Sequence, residues 1–108
     1  IRQRKVIKLE GNIKLFELAK KELKTDVGDF GGYIDPEKLY YPSNMMVVIS
    51  TIVSRYYTDE NNREKIDEFI KLCERKLLSG KFGVVSLQYA LSNLVDELEK
   101  LIVELNKR

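Results

Sequence analysis

The sequence contains no histidine and no tryptophan, and it has a single cysteine, Cys73, in 108 residues. Without histidine the chain lacks the side chain that most often acts as a general base or binds a transition metal. One cysteine cannot form an intramolecular disulfide, so we expect a reducing, cytoplasmic location. The composition therefore argues against a histidine-dependent enzyme and against a disulfide-stabilised domain.

The chain also lacks a long hydrophobic run. Its most apolar stretch, residues 45–57, is shorter than the roughly 20 residues that cross a bilayer, so we expect no membrane association. The apolar side chains of this stretch fall on more than one side of a helical wheel, which predicts a central helix enclosed by others. A buried strand is the alternative that periodicity leaves open.

Two prolines and six glycines divide the rest into amphipathic segments. Apolar residues at three- and four-residue steps, such as Ile13, Phe16, Ala19 and Leu23 in the first segment, are typical of helices. The caps are predicted to be Asn12 for the first helix, Ser43 or Asn44 for the central helix, and the segment 58–60 for the next. Helices are predicted near 12–24, 35–41, 43–57, 60–78 and 84–106.

These helices define an all-α fold, a small helical bundle of four main helices plus a short helical turn. The chain is short enough to be one domain, so we assign residues 1–11 to a basic N-terminal arm and residues 12–108 to the bundle. The loop at 28–32 matches no phosphate-binding glycine motif and is predicted to be a connector.

The last predicted helix carries a strict heptad seam. The seam packs either along the other helices of its own bundle or, in part, against a second copy or another protein. Tyr89 lies off the seam and is predicted to be exposed. The interface predicted by the second alternative comprises Leu87, Leu91, Leu94, Leu98, Leu101, Leu105 and Tyr89.

Charge is distributed unevenly although the formal net charge is only +2. Residues 1–25 contain eight basic and three acidic residues, a balance of +5, which favours an anionic partner such as RNA or DNA. The alternative is a solvated helix face diluted by Glu10, Glu17 and Glu22. The nucleic-acid-binding set is predicted to be Arg2, Arg4, Lys5, Lys8, Lys14, Lys20, Lys21 and Lys24.

Tyrosines at positions 40–41 and 56–57 flank the central helix, where they either complete the core or stack on unpaired bases. Two of the predicted helices carry carboxylates three residues apart, at Glu64/Asp67 and at Asp96/Glu99. In this feature the chain resembles the all-α nucleotide pyrophosphohydrolases of the MazG kind, which implies a Mg²⁺-dependent nucleotide hydrolase.

Helical wheels, however, place these acidic residues away from the apolar stripes, on faces where pairs such as Asp67–Lys71 and Asp96–Lys100 would form. Cys73 lies on an apolar stripe and is predicted to be a buried hydrophobic residue. We therefore expect no catalytic residue, no metal site and no cofactor.

In size and layout the predicted bundle resembles the small helical subunits of CRISPR effector complexes, and equally viral or archaeal helical adaptor proteins. The first resemblance implies a subunit that lines a nucleic-acid channel without catalysis. The expected function is thus a non-enzymatic interaction module that self-associates or docks in a larger assembly. A nucleic-acid-binding accessory subunit is the alternative, and a Mg²⁺-dependent hydrolase is a minor one.

Overall fold

The computed structural model describes residues 9–23, 41–78 and 83–107. Within these residues the chain forms four α-helices and no strand, which confirms the predicted all-α bundle. The helices are α1 (Glu10–Leu23), α2 (Pro42–Ser54), α3 (Glu60–Leu77) and α4 (Val84–Asn106). The predicted arm before residue 9 and nearly all of the predicted helix at 35–41 lie outside the described residues.

The four helices form a ring in which α1 contacts α2 and α4, and α3 contacts the same two helices from the other side. The most extensive packing is between α1 and α4. Helix α4 contributes more buried side chains than any other helix, so α4 rather than α2 is the main core element. The prediction that α2 is the central helix, enclosed by the others, is wrong, because Val47 in the middle of α2 is 46% exposed.

The direction of the helices follows from contacts at one end of the bundle. The Tyr56 hydroxyl, just after α2, donates to the carboxylate of Glu22 near the end of α1, at 2.6 Å. The side-chain amide of Asn62, near the start of α3, donates to the Tyr56 carbonyl at 3.2 Å. The carboxyl ends of α1 and α2 therefore meet the amino end of α3. The short connection between α2 and α3 makes these two neighbours antiparallel.

One of the predicted helix caps is confirmed, and two are wrong. Asp59 caps α3, because its side chain accepts a hydrogen bond from the Asn62 amide at 2.8 Å. Helix α2 instead begins with Pro42 as its first residue and has no side-chain cap. Pro suits this position because its missing N–H would have had no partner within the helix. Asn12 is not a cap either, since α1 begins two residues earlier, at Glu10.

The buried face of α1 also differs from the prediction. Leu15, Leu18 and Ala19 are buried, whereas Ile13 is 49% exposed. The spacing of Ile13 and Phe16 fits a helix as well as that of Leu15 and Leu18 does, so periodicity alone could not choose between the two faces. The choice follows from the positions of α2 and α4, which contact α1 on adjoining sides.

Candidate interaction surfaces

Helix α1 is fixed against α4 by a buried pair of amide side chains. The Asn12 backbone N–H donates to Oε1 of Gln88 at 2.8 Å, and the Nε2 of Gln88 donates to the side-chain oxygen of Asn12 at 2.9 Å. The first amides of a helix have no partner within it, so Gln88 satisfies a group that a cap would otherwise bind. Both residues are buried, and the pair sets the register of α1 on α4.

Two residues further along α1, Lys14 bridges the same two helices at their surface. Its Nζ donates to the Ser92 hydroxyl at 3.0 Å and forms an ion pair with Asp96. Asp96 therefore pairs with Lys14 and not with Lys100, which instead approaches Glu97 at 3.7 Å. Lys14 was predicted to bind nucleic acid, but its ammonium group is already engaged by α4.

The other predicted nucleic-acid-binding residues are only partly described. Lys20 and Lys21 are exposed on α1, and Nζ of Lys20 lies 5.2 Å from the centre of the Phe16 ring. Glu10 and Glu17 are also exposed on this helix. Arg2, Arg4, Lys5, Lys8 and Lys24 lie outside the described residues. Apart from Lys14, the described part of the predicted basic surface thus consists of two exposed lysines with acidic neighbours.

The heptad seam of α4 packs inside the chain's own bundle. Leu91 and Leu98 are fully buried, and Leu101 is half-buried. The buried positions of the seam are Leu87, Leu91, Leu94, Leu98 and Leu105, joined by Val95 and Ile102. Tyr89 lies outside the seam and is 65% exposed, as expected from its spacing. A partner molecule would find Tyr89 and part of Leu101 accessible, but not the buried leucines of the seam.

The tyrosines after α2 are bound to neighbouring carboxylates. Burial and the hydrogen bond to Glu22 raise the pKa of Tyr56. Tyr57 is half-exposed, but its hydroxyl donates to the carboxylate of Asp67 at 3.2 Å, and the Arg63 guanidinium lies 5.7 Å from its ring centre. Tyr41 is exposed, whereas Tyr40 lies outside the described residues. The 56–57 pair therefore joins helices of this chain.

The paired carboxylates do not converge on a metal site. Asp67 faces Tyr57, and Asp96 faces Lys14, so the two pairs have different neighbours. The predicted Asp67–Lys71 pair is accordingly absent among the ion pairs of the described residues. Within the same residues no three His, Cys, Asp or Glu side chains are placed to hold a metal ion.

Cys73 is fully buried on α3, as its position on the apolar stripe predicted. Burial, with a smaller contribution from the charge of Glu74, raises the pKa of its thiol from an ordinary 9.0 to about 12. A thiolate is the reactive form of cysteine, so this side chain is chemically inert near neutral pH.

The raised pKa of Cys73 predicts a loss of stability in alkali. Between pH 9.0 and about 12 the unfolded chain releases the thiol proton and the folded chain retains it. The contribution of this thiol to the free energy of unfolding should therefore be constant below pH 9.0. Between pH 9.0 and about 12 it should fall by about 1.4 kcal/mol per pH unit. Urea unfolding at several pH values should show a steeper decline for the wild type than for Cys73→Ala. Equal slopes in the two proteins would contradict this assignment.

Sequence reasoning missed an open groove between α3 and α4, with a volume of about 890 Å³. Phe69, Leu72 and Leu101 give it an apolar floor. Lys65 of α3 reaches Glu104 of α4 across it, at 3.8 Å. The two helices contribute to the groove through residues that lie far apart in the sequence, so no local spacing marks it. Its charged border comprises Lys65, Glu68, Lys71, Glu74, Arg75, Glu97, Lys100 and Glu104.

The described helices thus define a small all-α bundle. Asn12 and Gln88 form a buried hydrogen-bonded pair between α1 and α4, and an open groove lies between α3 and α4. None of these helices is both long enough and apolar enough to span a membrane. The chain matches no protein-family model, and searches of curated proteins and of solved structures found no significant match.

Proposed function

We propose that this chain is a non-enzymatic interaction module that works by associating with a second copy of itself. The observation that carries this proposal is the groove between α3 and α4. Leu72 and Leu101 are only half-buried there, and a molecule that covers the groove would bury them further. Burial of apolar surface is the main favourable contribution to most protein association.

The charges at the border of the groove support a second copy as the occupant. Four basic side chains, Lys65, Lys71, Arg75 and Lys100, stand with four acidic ones, Glu68, Glu74, Glu97 and Glu104. A strongly basic or acidic partner would meet as much repulsion as attraction at such a border. A second copy brings the same balanced set, and complementary charges favour association when the register places unlike charges together.

The chemistry of the side chains supports a non-enzymatic role. The sequence offers no histidine as a general base, and its one thiol is buried with a raised pKa. On α1 the Lys14 ammonium is already bound to Ser92 and Asp96. This contact argues against a nucleic-acid-binding role for this face, and the proposal of self-association is preferred for that reason. The described cations that remain exposed there, Lys20 and Lys21, share the helix with Glu10 and Glu17.

Sedimentation velocity tests the proposal. At low salt and rising concentration, the wild type should shift from the 12.6 kDa monomer towards twice that mass. Leu72→Gln removes an apolar contact from the groove and should weaken the dimer about tenfold or more, because one buried leucine contributes roughly 1.5–3 kcal/mol. Val103→Gln is the matched control, since Val103 is more exposed but lies on the other side of α4.

A wild type that stays monomeric at all concentrations would overturn the proposal of self-association. The same samples should then be tested with labelled single-stranded RNA, by fluorescence anisotropy at about 50 and 200 mM salt. Binding that falls steeply with salt would favour the accessory-subunit alternative. Circular dichroism must show that both substituted proteins are folded.

A further inference from the structure

Four charged side chains lie on one outer stripe of α3. Glu64, Glu68, Lys71 and Arg75 are all exposed, and they follow one another at steps of four, three and four residues. Residues at these steps occupy the same side of an α-helix. We call this set the α3 charge stripe. It adjoins the groove, because Glu68, Lys71 and Arg75 also border that surface.

Two of the three neighbouring pairs along the stripe are like charges, and only Glu68–Lys71, at positions i and i+3, is an unlike pair. Glu64 and Glu68 are like charges at positions i and i+4, and so are Lys71 and Arg75. Such pairs destabilise a helix by about as much as opposite pairs stabilise it. Glu64, Glu68 and Lys71 take no part in the ion pairs of the described residues, which are Lys14–Asp96, Lys65–Glu104 and Lys100–Glu97.

We infer that the α3 charge stripe pairs with the same stripe of a second copy, with the two α3 helices antiparallel. A two-fold axis passing beside Phe69 and Ile70 places Glu64 opposite the second copy's Arg75, and Glu68 opposite its Lys71. The symmetry repeats both contacts, so each acidic pair faces a basic pair. This inference rests on the proposed self-association and specifies which surface and which orientation produce it.

The symmetry of the stripe is specific to the antiparallel arrangement. In a parallel pair the two Glu64 side chains, and likewise the two Arg75 side chains, would meet like charges. The antiparallel arrangement also aligns the α3 helix dipoles favourably. On the groove side of the stripe, Leu72 follows Glu68 by one turn, so the same contact covers half-buried apolar surface.

Exposed ion pairs are individually weak and are screened by salt, so the dimer should depend strongly on ionic strength. We expect its dissociation constant to rise about tenfold between 50 and 500 mM sodium chloride, because the Debye length falls below the separation of neighbouring charges on the stripe. A dimer held only by apolar contacts would instead be unchanged or strengthened by added salt.

Charge exchange tests the orientation. An acidic-end variant (Glu64→Lys with Glu68→Lys) makes the whole stripe basic, and a basic-end variant (Lys71→Glu with Arg75→Glu) makes it acidic. Each variant alone should be monomeric in sedimentation velocity at concentrations where the wild type is dimeric. Mixed in equal amounts, the two should form a heterodimer at least as tight as the wild-type homodimer, because every contact across the interface is then between unlike charges.

Variants of the same net charge on α1 provide the control. Glu10→Lys with Glu17→Lys, and Lys20→Glu with Lys21→Glu, alter exposed residues that lie outside the groove. These proteins should dimerise as the wild type does. If they dissociate equally, net charge and not the stripe controls the association, and the inference is overturned.

Two further outcomes separate this inference from the proposed function. If both stripe variants dimerise as the wild type does, the antiparallel pairing of the stripes is overturned, but the proposal of self-association stands. A monomeric wild type would overturn both. Failure of the mixed variants to associate, with both folded by circular dichroism, would also count against the antiparallel pairing.

Discussion

Leu94→Asp should unfold the protein at every concentration. Leu94 lies in the heptad seam of α4 and is only 2% exposed, so the new carboxylate would replace packed apolar volume. Loss of a buried leucine side chain alone costs about 2–5 kcal/mol, and burying an unpaired charge adds several more. A domain of this size is stable by about 5–15 kcal/mol, so the substitution should remove most or all of that margin.

Far-ultraviolet circular dichroism and urea titration measure this effect directly. Val103→Asp is the matched control, because Val103 lies on the same helix but is 57% exposed. That variant should keep the wild-type helical signal, and its free energy of unfolding should stay within about 0.5 kcal/mol of the wild-type value, as surface substitutions usually do. If Leu94→Asp were instead folded and only changed the oligomeric mass, the seam would belong to an interface between molecules.

The heptad spacing of α4 predicted a buried seam, but could not identify what covers it. A helix that packs in its own bundle and one that packs against a second molecule both bury a side chain every three or four residues. The contacts that distinguish these cases are long-range. Lys14 bound to Ser92 and Asp96, and Asn12 bound to Gln88, place α1 along α4 within one chain.

Cap residues were predictable only where local chemistry decides the helix start. Asp59 caps α3 through an amide three residues away, so the sequence contains the whole interaction. Asn12 has the same intrinsic preference for a cap, yet its amide is bound by Gln88, 76 residues further along the chain. Tertiary contacts override local preference at such positions, and no local pattern shows them.

The candidate surface was predictable in one part and not in the other. The order of charges from Glu64 to Arg75 can be read in the sequence, and helical wheels already placed Glu64 and Lys71 on a solvated face. The groove beside the stripe needs Leu72 of α3 and Leu101 of α4 to be brought together, which depends on the packing of the two helices. Sequence therefore identified the charges but not the apolar floor.

Gly11→Ala should show how closely α1 and α4 approach. A Cβ atom on Gly11 would lie 2.6 Å from the Gln88 carbonyl oxygen and 2.8 Å from Cβ of Leu91. The first of these atoms belongs to the backbone and the second is bonded directly to it. Neither atom can therefore move aside as the tip of a flexible side chain would. Alanine would normally favour a helix over glycine by about 0.5–1 kcal/mol, but overpacking a tight contact costs typically 1–3 kcal/mol or more.

The displacement of α1 should also stretch the two hydrogen bonds between Asn12 and Gln88, each worth about 1 kcal/mol. We expect Gly11→Ala to lower the free energy of unfolding by about 2–3 kcal/mol in urea titrations. Gly83→Ala adds the same methyl group where, apart from its chain neighbours, no atom of the described residues lies within 4 Å, and should cost less than about 1 kcal/mol. If Gly11→Ala proved as stable as the wild type, α1 could not lie this close to the α4 backbone, and the register fixed by Gln88 would be wrong.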